Sequence, residues 1–296
     1  MADRSERGIR AAQFGVLVNA LLALTKLVSG IVGNSYVLIA DAVESGTDIF
    51  GSLIVVGGLW IARRDPDDEF PFGYGRAETL ATAVVSLMLV GTAAAIAIQA
   101  VREILTPHHL PAPWTLAVLA VVVVVKGLVS RRVQSVAAEI GSQAVRADAW
   151  HHMSDAVTST AAFIGISVAL WGGPGWESAD DWAALVAAAV IAYNGLVLLR
   201  PALRDLMDAT ASSEVVDQIR QIARGVPGVC AVEKLFVRRS GMTYRVTIHV
   251  EAAASMPLAD AHALGGRVKA AIREALPQVS SVLVHMEPHG GEPPVL

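Results

Sequence analysis

Long uncharged stretches alternate with short charged ones over the first two thirds of the chain. Residues 79–101 run 23 positions without a charge, 156–176 run 21 and 183–199 run 17. A helix needs about 20 apolar residues to cross a hydrocarbon core. Residues 112–129 are interrupted only by Lys126, and 11–32 and 35–62 carry charges but otherwise read as spans. A buried helix of a large soluble protein rarely runs ~20 residues without a charge. The pattern therefore predicts six transmembrane helices.

After about residue 209 the texture changes. In residues 212–224, Val215, Val216, Ile219 and Ile222 fall at helical spacing behind Ser212 or Ser213 as N-cap, and Pro227-Gly228 ends the helix. Residues 229–238 and 244–251 read as two strands joined through Ser240-Gly241, with YRVTIHV alternating well. Residues 258–276 form a second helix and 282–286 a third, short strand. The order α-β-β-α-β suits a small two-layer, ferredoxin-like α+β domain. The expected organisation is a six-helix transmembrane domain over 1–208, a cytoplasmic domain over 209–289 and a disordered tail, 290–296. The fold class is thus an α-helical membrane protein with a small α+β appendage.

Composition agrees and excludes other classes. The chain is 54% hydrophobic and 17% charged, with a mean hydropathy of +0.52. Soluble domains carry about a quarter charged residues. Disordered, collagen-like and coiled-coil chains are excluded by that balance. A net charge of −4 without a basic stripe argues against nucleic acid as a partner. The single cysteine, Cys230, excludes a disulfide scaffold and a Cys-based metal cluster. MADRSERGIR mixes acidic residues among its arginines and does not read as a signal peptide. Eleven arginines (4, 7, 10, 63, 64, 76, 131, 132, 146, 200 and 204) lie on one side of the expected spans, against Arg102 on the other. The positive-inside rule then puts both termini in the cytoplasm of a multi-pass protein of the cell's inner or plasma membrane.

Charges inside the spans carry the candidate chemistry. Ionisable groups in membrane helices cost at least ~2.5 kcal/mol each on insertion scales and are functional by default. The second span carries Asp41, Glu44 and Asp48; the fifth is led by Asp148, His151, His152 and Asp155. Glu44 and Asp48 share one helix face at i,i+4, and so do His151 and Asp155. Two helices crossing with these faces opposed bring together three carboxylates and an imidazole, a donor set for zinc, or for manganese or iron. A solvated interfacial cluster is the rival reading of the fifth-span group. Asp41 and Asp148, one turn away, suit the lining of the ion path. His152 points about 100° from His151 and suits packing. Asn19, Lys26 and Lys126 can snorkel or meet carboxylates. Neither a Walker motif nor a DKTG-like segment occurs.

The segments SYVLIADAVESGTD, FGYGRAET and RADAWHHMSD, with TIHVEA and VLVHMEP in the tail, resemble the signatures of the cation diffusion facilitator family. The resemblance covers nearly the whole chain. It implies a homodimer that exports a divalent metal from the cytoplasm in exchange for protons, with zinc first and manganese, iron, cobalt or cadmium as alternatives. It implies no organic cofactor and no enzymatic activity. By position the transport site would be Glu44, Asp48, His151 and Asp155. Glu44 departs from the family's usual Asp or His. Glu233, His249, His262, His285 and Glu287 stand where the family often binds further metal, against the rival of a solvated polar cluster. Arg76 and Asp208 match a family charge interlock that holds the dimer. In the loop between the second and third spans Asp67 fits a family metal position. Phe70 and Tyr74 replace two histidines there, so no ordered metal is expected. A membrane-anchored metal sensor and an intramembrane metalloenzyme are the readings from other classes. The enzyme would need an open coordination position and a general base, and no H-E-x-x-H occurs.

Overall fold

The structure, a computed structural model, describes residues 2–32, 36–105, 115–172, 176 and 178–290. The side chains of residues 29–48, including Asp41, Glu44 and Asp48, lie outside the described residues. The chain divides into two compact units, Met1–Leu203 and Arg204–Leu296.

The first unit is built of six long helices: α1 (Ala2–Val32), α2 (Tyr36–Ala62), α3 (Arg76–Leu105), α4 (Thr115–Ile140), α5 (Gln143–Gly172) and α6 (Ala179–Leu206). Beside an apolar core that includes Val55, Leu59, Val85, Leu89 and Val133, its burial pattern departs from that of a soluble bundle. Asn19, Ser52, Thr82, Ser86, Lys126, Asp148, His151 and His152 are buried, whereas Leu17, Leu24, Phe50, Leu87, Leu128, Ile164 and Val186 are exposed. Water would reward the opposite arrangement; lipid tails reward this one. Buried hydroxyls close on their own helix, as Thr82 does on the Glu78 carbonyl at 2.9 Å and Ser86 on Thr82 at 2.7 Å. Among the described residues three segments are long and apolar enough to cross a membrane: Arg4–Thr25, Arg76–Leu105 and Asp181–Leu206.

Arg131, Arg132 and Arg146, which the apolar runs leave between two spans, stand on α4 and α5. Only Gly141 and Ser142 separate those helices along the chain. Gly141 has φ 71°, and the N–H groups of Gly141 and Ser142 both reach the Ala137 carbonyl, at 2.9 and 3.2 Å. Ser142 Oγ then accepts from the Val145 N–H at 3.2 Å and donates to buried Glu78 Oε1 at 2.5 Å. This ties the turn to α3.

The second unit contains α7 (Ser213–Arg224), β1 (Ala231–Ser240), β2 (Thr243–Ala252), α8 (Leu258–Ala275) and β3 (Val279–Pro288). The order α-β-β-α-β is the expected one. The sheet runs β1-β2-β3, antiparallel between the first pair and parallel between the second. A parallel return needs a crossover, which α8 provides. The third strand is ten residues long rather than short. β2 offers it a full-length partner, pairing Tyr244 with Val279 and, after a one-residue shift at Ser280, running in register from Arg245 with Ser281 to Ala252 with Pro288. Val246, Ile248 and Val250 of β2 pack against Ile219 of α7 and Leu264, Val268 and Ile272 of α8. His249 and Glu251, at the intervening positions, point to the face that carries no helix. Of the expected tail, residues 291–296 lie outside the described residues.

Candidate functional site

Three levels of contact set the register of α2 on α5. Leu59 and Val145 flank the same point of α1: a β-carbon on Gly8 would lie 3.1 Å from a side-chain carbon of each. Next, Ser52 Oγ donates to Asp148 Oδ1 at 2.6 Å in the buried interior. Then the His151 ring packs beside Gly51, 3.7 Å from where a β-carbon would stand. Falling numbers on α2 thus meet rising numbers on α5, so the two helices run in opposite directions. Continuing that register, the turn of α2 that carries Asp48, one before Ser52, comes level with the turn of α5 that carries Asp155. The side chains of Glu44 and Asp48 lie outside the described residues. His151 is 5% exposed and Asp155 is partly buried.

Asp155 is engaged by a residue from another helix. Lys126 Nζ donates to Asp155 Oδ2 at 2.6 Å and to Asn19 Oδ1 at 2.6 Å. Lys126 is 1% exposed and Asn19 fully buried, so the lysine meets a carboxylate instead of snorkelling. The side chain of Lys26 lies outside the described residues. His152 is fully buried, its Nε2 3.8 Å from Asp148 Oδ2, and it packs on α1 where only glycine fits. A β-carbon on Gly15 would sit 2.5 Å from His152 Nε2. Gly15→Ala should therefore destabilise the bundle by about 1–3 kcal/mol, the usual cost of overpacking. A lower melting temperature of the detergent-solubilised protein would register it.

In the loop between α2 and α3, both oxygens of Asp67 are hydrogen-bonded. Oδ1 accepts from the Phe70 N–H at 2.7 Å and Oδ2 from the Tyr74 hydroxyl at 2.6 Å. The Phe70 and Tyr74 rings pack tilted at 40°, their centroids 4.6 Å apart, and the Arg64 guanidinium lies 4.6 Å over Trp60. The Tyr74 hydroxyl, then the Phe70 N–H, holds the Asp67 carboxyl below the usual carboxylate range. The turn is therefore supported above the ordinary carboxylate pKa and loses that support as pH falls through the lowered value.

In the second unit, His249, His285 and Glu287 bring one ligand atom each within 4.8 Å of one another. Cross-strand register places His249 opposite His285, with their rings 4.9 Å apart, and His249 Nδ1 lies 2.6 Å from Glu287 Oε1. Glu233 stands at the margin, 4.0 Å from His249 Nδ1. Hydrogen bonding with Glu233, then with His249, holds the Glu287 carboxyl below its ordinary range. His262 belongs to α8, in the layer covering the other face of the sheet, and is not part of this group. Sequence reasoning missed a neighbouring pair, Glu251 and His289, whose Oε2 and Nδ1 lie 2.6 Å apart. The signal was available, because the alternation joining His285 to Glu287 continues to His289, and that joining β2 to the cluster continues to Glu251. Asp208, at φ 57°, ends α6 and accepts from Arg238 Nη1 at 2.6 Å.

The family described as cation efflux transmembrane domain matches residues 12–207, and that described as cation efflux protein, cytoplasmic domain, matches 211–289. The chain is similar to the manganese efflux system protein MneP of Bacillus subtilis, 26% identical over 292 residues, covering 97% of this chain and 98% of the relative. It is 30% identical over 280 residues to the cation-efflux pump FieF of Citrobacter koseri, covering 94% and 92%. It is 28% identical over 268 residues to the magnetosome protein MamB of Magnetospirillum gryphiswaldense, covering 90% and 89%.

Proposed function

Because the chain belongs to the cation diffusion facilitator family of cation efflux proteins, we propose that it exports zinc from the cytoplasm in exchange for protons. The transport site in this reading is Glu44 and Asp48 of α2 with His151 and Asp155 of α5. One observation supports it: the register of α2 on α5 through Ser52–Asp148 and Gly51–His151, which puts the turn of Asp48 level with the turn of Asp155, with Glu44 and His151 one turn to either side. Four such donors suit a tetrahedral divalent ion. Carboxylate and imidazole ligands must shed protons to bind metal, so metal and protons compete for the same atoms. If the site opens to each side in turn, that competition couples metal exit to proton entry.

Six spans with cytoplasmic termini and a homodimer in the inner or plasma membrane complete the reading. The His249–His285–Glu287 group is its second metal site, on the open face of the cytoplasmic sheet. Replacing His249 and His285 together by Ala should remove one zinc equivalent per chain from the solubilised protein, by elemental analysis, and leave the transport-site equivalent in place. The loop between α2 and α3 holds no metal in this reading, since the Asp67 oxygens are engaged by Tyr74 and Phe70. Asp67→Ala should then transport within about twofold of the native rate.

Uptake of zinc-65 into inverted vesicles, with and without a pH gradient and repeated with manganese, iron, cobalt and cadmium, tests the function. A sensor or a hydrolase gives no gradient-dependent uptake. Manganese is the second reading. Three carboxylates to one imidazole form a hard donor set, and the relative MneP is named for manganese efflux.

A further inference from the structure

Lys126 is an unusual residue to find where it is. It sits on α4, on a stripe whose other members Val122 and Val129 are buried hydrophobics, and an apolar side chain would continue that stripe. A buried ion pair is seldom a better stabiliser than a well-packed apolar substitute of the same volume, because two ions must be stripped of water to form it. Architecture alone therefore gives little reason for an ammonium at 1% exposure. Its position gives another. The ammonium donates to one oxygen of Asp155, at 2.6 Å, and to the Asn19 side-chain carbonyl, also at 2.6 Å. Asp155 is a proposed metal ligand, so Lys126 holds an atom that the transported ion would need.

We infer that Lys126 is the resident counter-cation of Asp155, which a divalent ion must displace to enter the transport site and which thereby sets how tightly the site holds metal. The inference rests on the assignment of Asp155 to that site. Three carboxylates and a neutral imidazole carry one negative charge more than a divalent ion can cancel, and Lys126 supplies the remaining positive charge. Before metal arrives the ammonium pairs with Asp155, whose carboxylate is partly buried, and offsets its charge. When metal takes the carboxylate, Asn19 Oδ1 still receives one bond from the ammonium, so the lysine has somewhere to remain. A positive charge that close always opposes the binding of a cation, and at low local dielectric the opposition is strong. For an exporter this is useful, because an ion held too tightly is never released on the far side. Asn19 from α1, Lys126 from α4 and Asp155 from α5 also join three helices at one point, so occupancy of the site alters a contact among all three.

Zinc affinity of the solubilised full-length protein, read by competition with a fluorescent zinc chelator, tests this directly. Lys126→Gln keeps a donor for both partners and removes the charge; it should bind zinc at least tenfold more tightly. Lys126→Arg keeps the charge and grips a carboxylate through two parallel bonds; it should bind zinc at least threefold more weakly. A purely architectural lysine would not shift affinity in opposite directions in two variants with native melting curves. In the unaltered protein, which has four lysines, the 15Nζ resonance of the buried ammonium should move on zinc addition. That measurement stands if either variant fails to fold. Unchanged or weaker zinc binding in a folded Lys126→Gln protein, or a resonance that ignores zinc, overturns the inference. Native zinc affinity in Asp155→Asn would instead overturn the transport-site assignment on which it rests.

Discussion

Inverted vesicles carrying Asp155→Asn should take up no zinc-65 above background, in the presence or absence of a pH gradient, while the protein remains folded. The substitution removes one of three carboxylates from a site whose ion is held by charge and deprotonated ligands. Asparagine is chosen over alanine because of Lys126. Alanine at 155 would take away the carboxylate that the buried ammonium grips and leave its bond to Asn19 Oδ1 in place. Removing one member of a buried ion pair commonly costs about 3–5 kcal/mol, so loss of uptake in Asp155→Ala would mix a missing ligand with a damaged bundle. Asparagine keeps the shape and an acceptor oxygen for the lysine. The double variant Asp155→Ala with Lys126→Met removes both charges; it should recover the native melting temperature to within a few degrees and still transport nothing. Asp48→Ala should be equally inactive. Asp155→Asn vesicles that accumulate zinc at the native rate would remove Asp155 from the site.

The two unlike halves of the chain were legible for different reasons. Long apolar runs and strict alternation are local signals, so the helices of the first unit and the α-β-β-α-β order of the second could be read directly. The α4–α5 connection could not, because Arg131, Arg132 and Arg146 end an apolar run without ending a helix; the break is at Gly141, where φ turns positive. The third strand outgrew its expected bounds because its outer residues are held by pairing with β2, a non-local cause. Spacing singled out Glu44 with Asp48 and His151 with Asp155 as candidate donor pairs, since i,i+4 is written into a helix. The grip of Lys126 on Asp155 was not written anywhere local: the two residues lie 29 positions apart on different helices. Likewise Glu251 and His289, 38 apart, meet only through the parallel pairing of β2 and β3. A sequence displays which residues share a face; which faces meet is decided by packing.

The second large effect is expected at His151, and it is a change of preference more than of rate. His151→Asp replaces the only imidazole of the proposed four donors with a fourth carboxylate. Imidazole suits zinc, whereas carboxylate suits harder ions such as manganese. The ratio of zinc to manganese uptake should fall at least tenfold, equivalent to about 1.4 kcal/mol of differential binding. The exchange adds no bulk: aspartate is smaller than the His151 ring, which lies beside Gly51. Glu44→Asp offers the contrast. It shortens one arm without changing the kind of donor, so it should alter the order of preference among metals by less than His151→Asp does. Competition of manganese against zinc-65 uptake reads both variants in one assay. An unchanged zinc-to-manganese ratio in a folded His151→Asp protein would show that the imidazole does not touch the transported ion.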